Sequence, residues 1–294
     1  MNNSIEISQY LKQLWANPEA RQKRHLDLRT ARTISLTDNY PDTASWAAAN
    51  IATQLQESTN FKANGCLLDV GCGSGLYLNL LDGSYKFAVG MDKSPAALAQ
   101  FPGNSEKAQP LRGDILNLPF APETFGAAMA NRMLNLTGAI QRALNEIRRV
   151  LVTQGLLFIV TAEREEGATL RKAHEAALIE SGFPERFYTR SSPPDQRLGR
   201  ENGERWLREA GFEVRQILDY ERVIAPLSLA EALELYATGL LFQRSLGFDE
   251  PGIEPERWTK LYQAMEARLA ALLELEGKLE IRDGATLFTA YKSL

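Results

Sequence analysis

The stretch Leu67-Leu-Asp-Val-Gly-Cys-Gly-Ser-Gly-Leu-Tyr77 sets one acid, Asp69, two residues ahead of the alternating glycines Gly71, Gly73 and Gly75. Glycine costs chain entropy on folding, so a cluster of glycines ending an apolar run implies that bare backbone is required there. A glycine turn lets the main chain approach a ligand closely and presents the free N–H groups of the helix that follows. Pyrophosphate is the usual guest of such a turn. The dinucleotide-binding pattern is GxGxxG, however, whereas this chain has GxGxG with an acid ahead of it. An acid there is what a phosphate-binding turn would avoid.

A second acid, Asp92, closes the apolar run Ala88-Val-Gly-Met-Asp92 and is followed by Lys93. It lies about 20 residues past the glycine turn, the distance along the chain at which an acid reaches ribose hydroxyls. A carboxylate can accept from both hydroxyls of a diol. Further on, Gly113-Asp114-Ile115 precedes Leu118-Pro-Phe120, and Asn131 closes the run Phe125–Ala130.

These residues need a scaffold that delivers each of them to one edge. Short apolar runs occur at Cys66–Val70, Phe87–Met91, Phe125–Ala130, Leu156–Thr161, Phe212–Leu218 and Ala285–Tyr291, with a weaker one at Gln109–Arg112. Helical stretches fit between them at Leu76–Leu81, Pro95–Phe101 and Ile140–Val150. Such alternation predicts an α/β fold with a mostly parallel sheet and helices on both faces. Ligands bind such sheets beyond the carboxyl ends of the strands, and there the glycine turn and both acids fall.

In order and spacing the chain resembles the class I S-adenosylmethionine-dependent methyltransferases, whose first motif is (D/E)xGxGxG. The resemblance covers roughly residues 65–162 with a closing strand at 285–291. It implies a Rossmann-like seven-stranded sheet, S-adenosylmethionine as cofactor and S-adenosylhomocysteine as product. It also implies roles. Asp69 acts near the methionine ammonium, and Gly71, Cys72, Gly73 and Gly75 lie against the methionyl and ribose portions. Asp92, with Lys93 beside it, holds the ribose. In the GD(A/I)…LPF pattern Asp114 accepts from the adenine amino group and Ile115 packs on the ring. Asn131 stands where the family has a polar residue beside the cofactor. The sequence Arg149-Val-Leu-Val-Thr-Gln-Gly155 is similar to the family's RVLKPGG, with Thr153-Gln154 in place of Pro-Gly. Tyr40, ahead of the helical stretch Ala47–Leu55, is a candidate to close on the methionine end.

The rest of the chain is read as a cap. Residues 1–60 are helical, with a turn at Asp38–Asp42; 61–162 are the cofactor-binding core; 163–211 carry a cap insertion and a helix. Residues 212–294 hold the last two strands and a helical insertion at 219–283, with helices at Leu227–Arg244 and Pro255–Gly277. Both insertions are too long for plain connections. In the first of them His174, on the helical stretch Thr169–Ile179, is the candidate general base, needed only if the acceptor must lose a proton.

Composition narrows the partners. A net charge of −4 argues against broad nucleic-acid binding, although 21–32 is locally basic. Two cysteines and two histidines are too few and too scattered for zinc, so no metal is expected. No run approaches the roughly 20 apolar residues of a membrane span, and a cytoplasmic protein with reduced thiols is expected. The expected function is methyl transfer to an oxygen or nitrogen of a small organic acceptor, by positioning and desolvation. The alternatives are an RNA or protein methyltransferase and a non-catalytic S-adenosylmethionine-binding protein; a homodimer stays open.

Overall fold

The computed structural model describes residues 41–101, 106–162, 168–187, 197–238 and 255–293. Tyr40, the rest of residues 1–40 with the basic 21–32 segment, and the end of the 227–244 helix lie outside them. The chain divides into two units. One comprises the described residues of Glu165–Pro193 and Arg222–Asp283, the other those of Thr33–Arg164, Pro194–Glu221 and Gly284–Leu294.

The second unit is built on a seven-stranded sheet. Its strands are β1 (Cys66–Val70), β2 (Phe87–Asp92), β3 (Ala108–Arg112), β4 (Phe125–Asn131), β5 (Leu151–Ala162), β6 (Phe212–Leu227) and β7 (Leu279–Lys292). They lie in the order β3-β2-β1-β4-β5-β7-β6. The first five strands are parallel, and β7 runs antiparallel to β5. Continuous apolar runs suit strands covered on both faces, and Leu67, Leu68, Val70, Ala127, Ala128 and Met129 are all fully buried.

Two apolar clusters cover the sheet. One holds α5 (Ile140–Val150), whose Ile140, Ala143, Leu144, Ile147 and Val150 form one buried stripe. The other holds α1 (Pro41–Glu57), which buries Ala47, Ala48, Ile51 and Leu55 against Leu67, Ala127 and Phe158. The sequence reading places a turn at 38–42 and counts 1–60 as cap. In the structure Pro41 and Asp42 already belong to α1, and α1 packs on the sheet. Proline is favoured in a first turn, where its missing N–H has no partner to lose.

Local polar groups fix where the site begins. Ser58 caps α2 (Thr59–Asn64) by accepting the Phe61 N–H at 3.2 Å. Asn64 Oδ1 accepts the N–H of Cys66 at 2.9 Å and that of Gly126 at 3.0 Å. One side chain therefore pins the starts of β1 and β4, whose far ends carry Asp69 and Asn131.

The last two strands are longer than the apolar runs predict. Along 219–223 in β6, exposed and half-buried residues alternate, the pattern of a strand with one open face. The other unit takes the far part of β6 and the first residues of β7 and is otherwise mostly helical. It contains α6 (Ala168–Glu180), α8 (Leu229–Thr238) and α9 (Pro255–Glu276) around a cluster that includes Leu170, Ala177, Leu233, Tyr236, Leu261 and Met265. The remaining helices, α3 (Leu76–Leu80), α4 (Pro95–Leu98) and α7 (Gly203–Glu209), are short.

Candidate active site

The carboxyl ends of β1, β2 and β4 meet at the glycine turn. The N–H groups of Gly71 and Cys72 both donate to the Met91 carbonyl, at 2.7 and 3.1 Å, so the turn folds over the end of β2. Gly71, Gly73 and Gly75 have φ of 71°, 58° and 82°, the left-handed region that side chains resist. Two of them are also crowded by the protein itself. A Cβ on Gly71 would sit 2.7 Å from Met133 Cγ, and one on Gly75 would sit 2.6 Å from the Phe101 ring. The bare backbone thus answers to packing as well as to any ligand.

Asp92 sits beside the turn. Its Oδ2 accepts the Gly73 N–H at 3.0 Å and its Oδ1 accepts the Ser94 N–H at 2.8 Å. Ser94 in turn caps α4, accepting the Ala97 N–H at 3.3 Å with Pro95 in the first turn. Lys93, between them, is exposed.

Asp69 is 1% exposed, and its Oδ2 has no hydrogen-bond partner. Burial, and secondarily the Asp92 charge, holds its carboxyl well above the usual carboxylate range. In register Asp69 faces Met129 of β4, so Asn131, two residues on, lies on the same face at the strand tip. Both Oδ1 and Nδ2 of Asn131 are buried without partners. Three unmet polar atoms therefore gather at adjoining strand ends, where burial without a partner costs about 1–3 kcal/mol each.

Two neighbours escaped the sequence reading. Burial pushes the Tyr77 phenol up; the positive charge of Arg132 opposes this and the charge of Asp69 adds to it. Arg132 follows Asn131 with φ 56° while its N–H donates to the Val160 carbonyl at 2.7 Å. Their positions, next to the glycine motif and to Asn131, were the only available signal. Cys72 is buried, and burial followed by the charges of Asp69 and Asp92 pushes its thiol up, which makes it a poor nucleophile.

On the other side of β2, Asp114 is exposed and closes its own turn. Its Oδ1 accepts the Leu116 N–H at 2.9 Å, and its carbonyl accepts the Asn117 N–H at 3.0 Å. Ile115 is buried at 6% exposure. The Gly113 N–H donates to the Asp92 carbonyl at 3.1 Å, and a Cβ there would meet Met91 Sδ at 2.5 Å.

His174 belongs to the helical unit. It is 4% exposed, its Nδ1 lies 2.7 Å from the Tyr236 hydroxyl, and burial lowers its pKa to about 4. Asp69, Asp92, Asp114 and Asn131 are thus assembled on one unit, and His174 is on the other. Among the described residues no cluster of three or more metal-ligating side chains is present, and no helix is long and apolar enough to cross a membrane.

Residues 68–159 match the methyltransferase-domain family. The chain carries a class I methyltransferase domain. Among curated proteins, the malonyl-[acyl-carrier protein] O-methyltransferase of Legionella pneumophila is 31% identical over 116 residues, 38% of this chain and 41% of its own length. The tRNA (carboxymethyluridine(34)-5-O)-methyltransferase of Saccharomyces cerevisiae is 32% identical over 128 residues, 42% of this chain and 44% of its own length. An uncharacterized protein of Methanocaldococcus jannaschii is 29% identical over 132 residues, 45% of this chain and 55% of its own. The chain thus spans about half the length of the curated relatives it matches. Among solved structures, YcgJ of Bacillus subtilis aligns with TM-score 0.56 at 14% identity, covering 84% of this chain and 98% of that one. BH2331 of Bacillus halodurans aligns with TM-score 0.54 at 17% identity, covering 83% and 99%. These likenesses establish the fold of the methyltransferase domain.

The residues of that domain fit a cationic nucleoside. Asp69 offers a buried carboxylate oxygen with no partner, Asn131 offers an unmet donor and an unmet acceptor, and the neighbouring turn is bare backbone.

Proposed function

We propose that this chain is an S-adenosylmethionine-dependent methyltransferase acting on an oxygen of a small organic acceptor, a carboxylate foremost. The observation that carries the reading is the unpaired, buried Asp69 carboxylate beside the glycine turn of a methyltransferase domain. Burial disfavours the charged form of this carboxyl, and a cation that meets it restores that form.

In this reading Asp69 and Asn131 hold the amino-acid end of the cofactor, Asp92 the ribose, and Asp114 and Ile115 the adenine. When bound, the cofactor supplies an electrophilic methyl on a sulfonium, which passes to the acceptor and leaves a thioether. The chain's own work is to position and to exclude water. Asp92 braces the turn from below through the Gly73 N–H. The sheet behind Asp69 is sealed by Leu67, Met129 and Val160, all 1% exposed or less.

Oxygen is favoured over nitrogen because both relatives that carry a named activity are named for O-methylation, of a malonyl group in one and a carboxymethyl group in the other. A carboxylate is ionised at neutral pH and needs no base. That suits a site whose thiol, Cys72, and phenol, Tyr77, are both pushed up by burial. The chemistry then gives His174 no proton to move.

The test is incubation of methyl-labelled cofactor and protein with fractionated small metabolites. Label should enter a small molecule and be released as volatile methanol in mild alkali, as a methyl ester requires. Alkali-stable label would refute the carboxylate acceptor. Absence of S-adenosylhomocysteine formation with every fraction, and with bulk RNA and protein, would refute catalysis.

A further inference from the structure

The helix α5 crosses behind the loop that links β3 to β4, and three of its side chains grip that loop by its backbone. The Arg142 Nε donates to the Leu116 carbonyl at 3.1 Å. Glu146 Oε2 accepts the Leu118 N–H at 2.8 Å. The Arg149 guanidinium donates to the Phe120 carbonyl at 2.7 Å and, through Nη2, to the Leu118 carbonyl at 2.9 Å. Glu146 and Arg149 are paired with each other by two bonds, Nε to Oε1 at 2.9 Å and Nη2 to Oε2 at 2.8 Å. These three residues sit four and three apart, on one side of the helix, opposite the loop they hold.

The grip exceeds what closing a surface loop needs. The loop is already stapled at both ends by the Asp114 turn and by the Phe120–Phe125 edge contact at 4.9 Å. Four further bonds to its middle, three of them charge-assisted on the arginine side, fix its backbone rigidly. The bidentate arginine contributes geometry that a point charge would not. Nothing in the residues of the loop itself calls for this. What it carries is Asp114 and Ile115.

We propose that Arg142, Glu146 and Arg149 form a clamp that positions the 114–120 loop and so sets which base the nucleoside pocket accepts. They are positioning residues that act through Asp114 and Ile115. The inference rests on the cofactor reading above, with adenine at that loop. An aspartate accepts from an amino group and repels an oxo group, and this choice is sharp only where the carboxylate is held still.

The experiment uses the full chain and calorimetric binding of S-adenosylhomocysteine and its 6-oxo (inosyl) counterpart. Wild type should prefer the amino form by about tenfold or more. Arg149→Ala and Arg149→Lys should both weaken the amino form and narrow the preference to about threefold or less, since lysine keeps charge and loses the fork. Glu146→Gln, which keeps size, should speed amide exchange at 114–120 without changing exchange in β1 or β4. Variants that keep the wild-type preference, or that weaken both nucleosides equally, overturn the clamp. Failure of wild type to bind either nucleoside overturns the cofactor reading, and the clamp with it.

Discussion

The carboxylate of Asp92 accepts the backbone N–H of Gly73 at 3.0 Å, so the acid that ends β2 holds the glycine turn that follows β1. Its second oxygen accepts the Ser94 N–H at 2.8 Å. Asp92 thus joins two loops before any ligand is considered, and its lone pairs not engaged by the main chain remain for a diol.

Replacing Asp92 by alanine therefore removes a brace and a ligand at once. S-adenosylhomocysteine affinity should fall by at least about tenfold, and stability by about 1–2 kcal/mol, the cost of unpairing two half-buried N–H groups from a charged partner. The 2′-deoxy analogue separates the two roles. Wild type should discriminate against it, and Asp92→Ala should bind both forms alike in calorimetry. A variant that stays selective for the ribose would leave Asp92 as a brace alone.

Asp69 makes an opposite pair of predictions. Burial, then the Asp92 charge, holds its carboxyl in the fold well above the usual carboxylate range. A carboxyl raised in this way favours the fold fully only below its unfolded pKa. That contribution is lost as pH rises through the folded value, so at neutral pH the charge opposes folding. Asp69→Asn should raise stability in denaturant by about 1–3 kcal/mol and weaken S-adenosylhomocysteine at least tenfold, the two effects diverging. Calorimetry in buffers of different ionisation enthalpy should show a proton released on binding wherever the free protein holds Asp69 protonated. Loss of both stability and affinity in Asp69→Asn would mean a purely structural acid.

Much of this was legible in the sequence for a definite reason. Strands β1, β2 and β4 are short runs buried along most of their length, so their apolar letters mark them to within a residue or two, whereas the edge strand β3 gives a weaker signal. The far portion of β6 was not, since exposed residues such as Asp219, Glu221 and Val223 alternate there with half-buried ones and blur into loop composition. Asp69, Asp92 and Asn131 were legible as candidates because each stands at or beside the end of such a run. Why the glycines are needed was only half legible. Their left-handed φ follows from the motif, but the Met133 and Phe101 side chains that crowd Gly71 and Gly75 come from distant segments. The grip of Glu146 and Arg149 on the loop joins two motifs that sequence treats as separate.

His174 sets a pH dependence in the helical unit. Burial lowers its pKa from 6.5 to about 4 in the fold, and its Nδ1 lies 2.7 Å from the Tyr236 hydroxyl. A histidine depressed in this way leaves the unfolded chain holding more protons between those values. Stability is then complete above pH 6.5 and is lost as pH falls toward 4, by about 3 kcal/mol across the window. Urea midpoints should fall steadily between pH 7 and 5, and His174→Phe should flatten that slope. At pH 7.5 the same variant should lose about 1–2 kcal/mol from the Tyr236 hydroxyl left without this partner. An unchanged slope in His174→Phe would place the titrating group elsewhere.

Gln154 is one of the two residues, with Thr153, at which the chain departs from the RVLKPGG pattern that it resembles, standing where that pattern has glycine. Its φ is 61°, in the left-handed region, at the bend of β5 where Gly155 is crowded by the Val152 carbonyl 2.8 Å from its Cβ position. A side chain there costs about 1–2 kcal/mol, partly offset by the entropy glycine would lose on folding. Gln154→Gly should therefore raise unfolding free energy by about 0.5–1 kcal/mol, and Gln154→Val, whose branched carbon tolerates this conformation least, should lower it by about 1–2 kcal/mol. The spread between the two variants is the decisive quantity, because Gln154 lies near the start of β5, away from the end where Asn131 pairs with Val160, and both variants should retain wild-type S-adenosylhomocysteine affinity. Denaturant melts with equal slopes and midpoints for glycine and valine would show that the bend carries no strain.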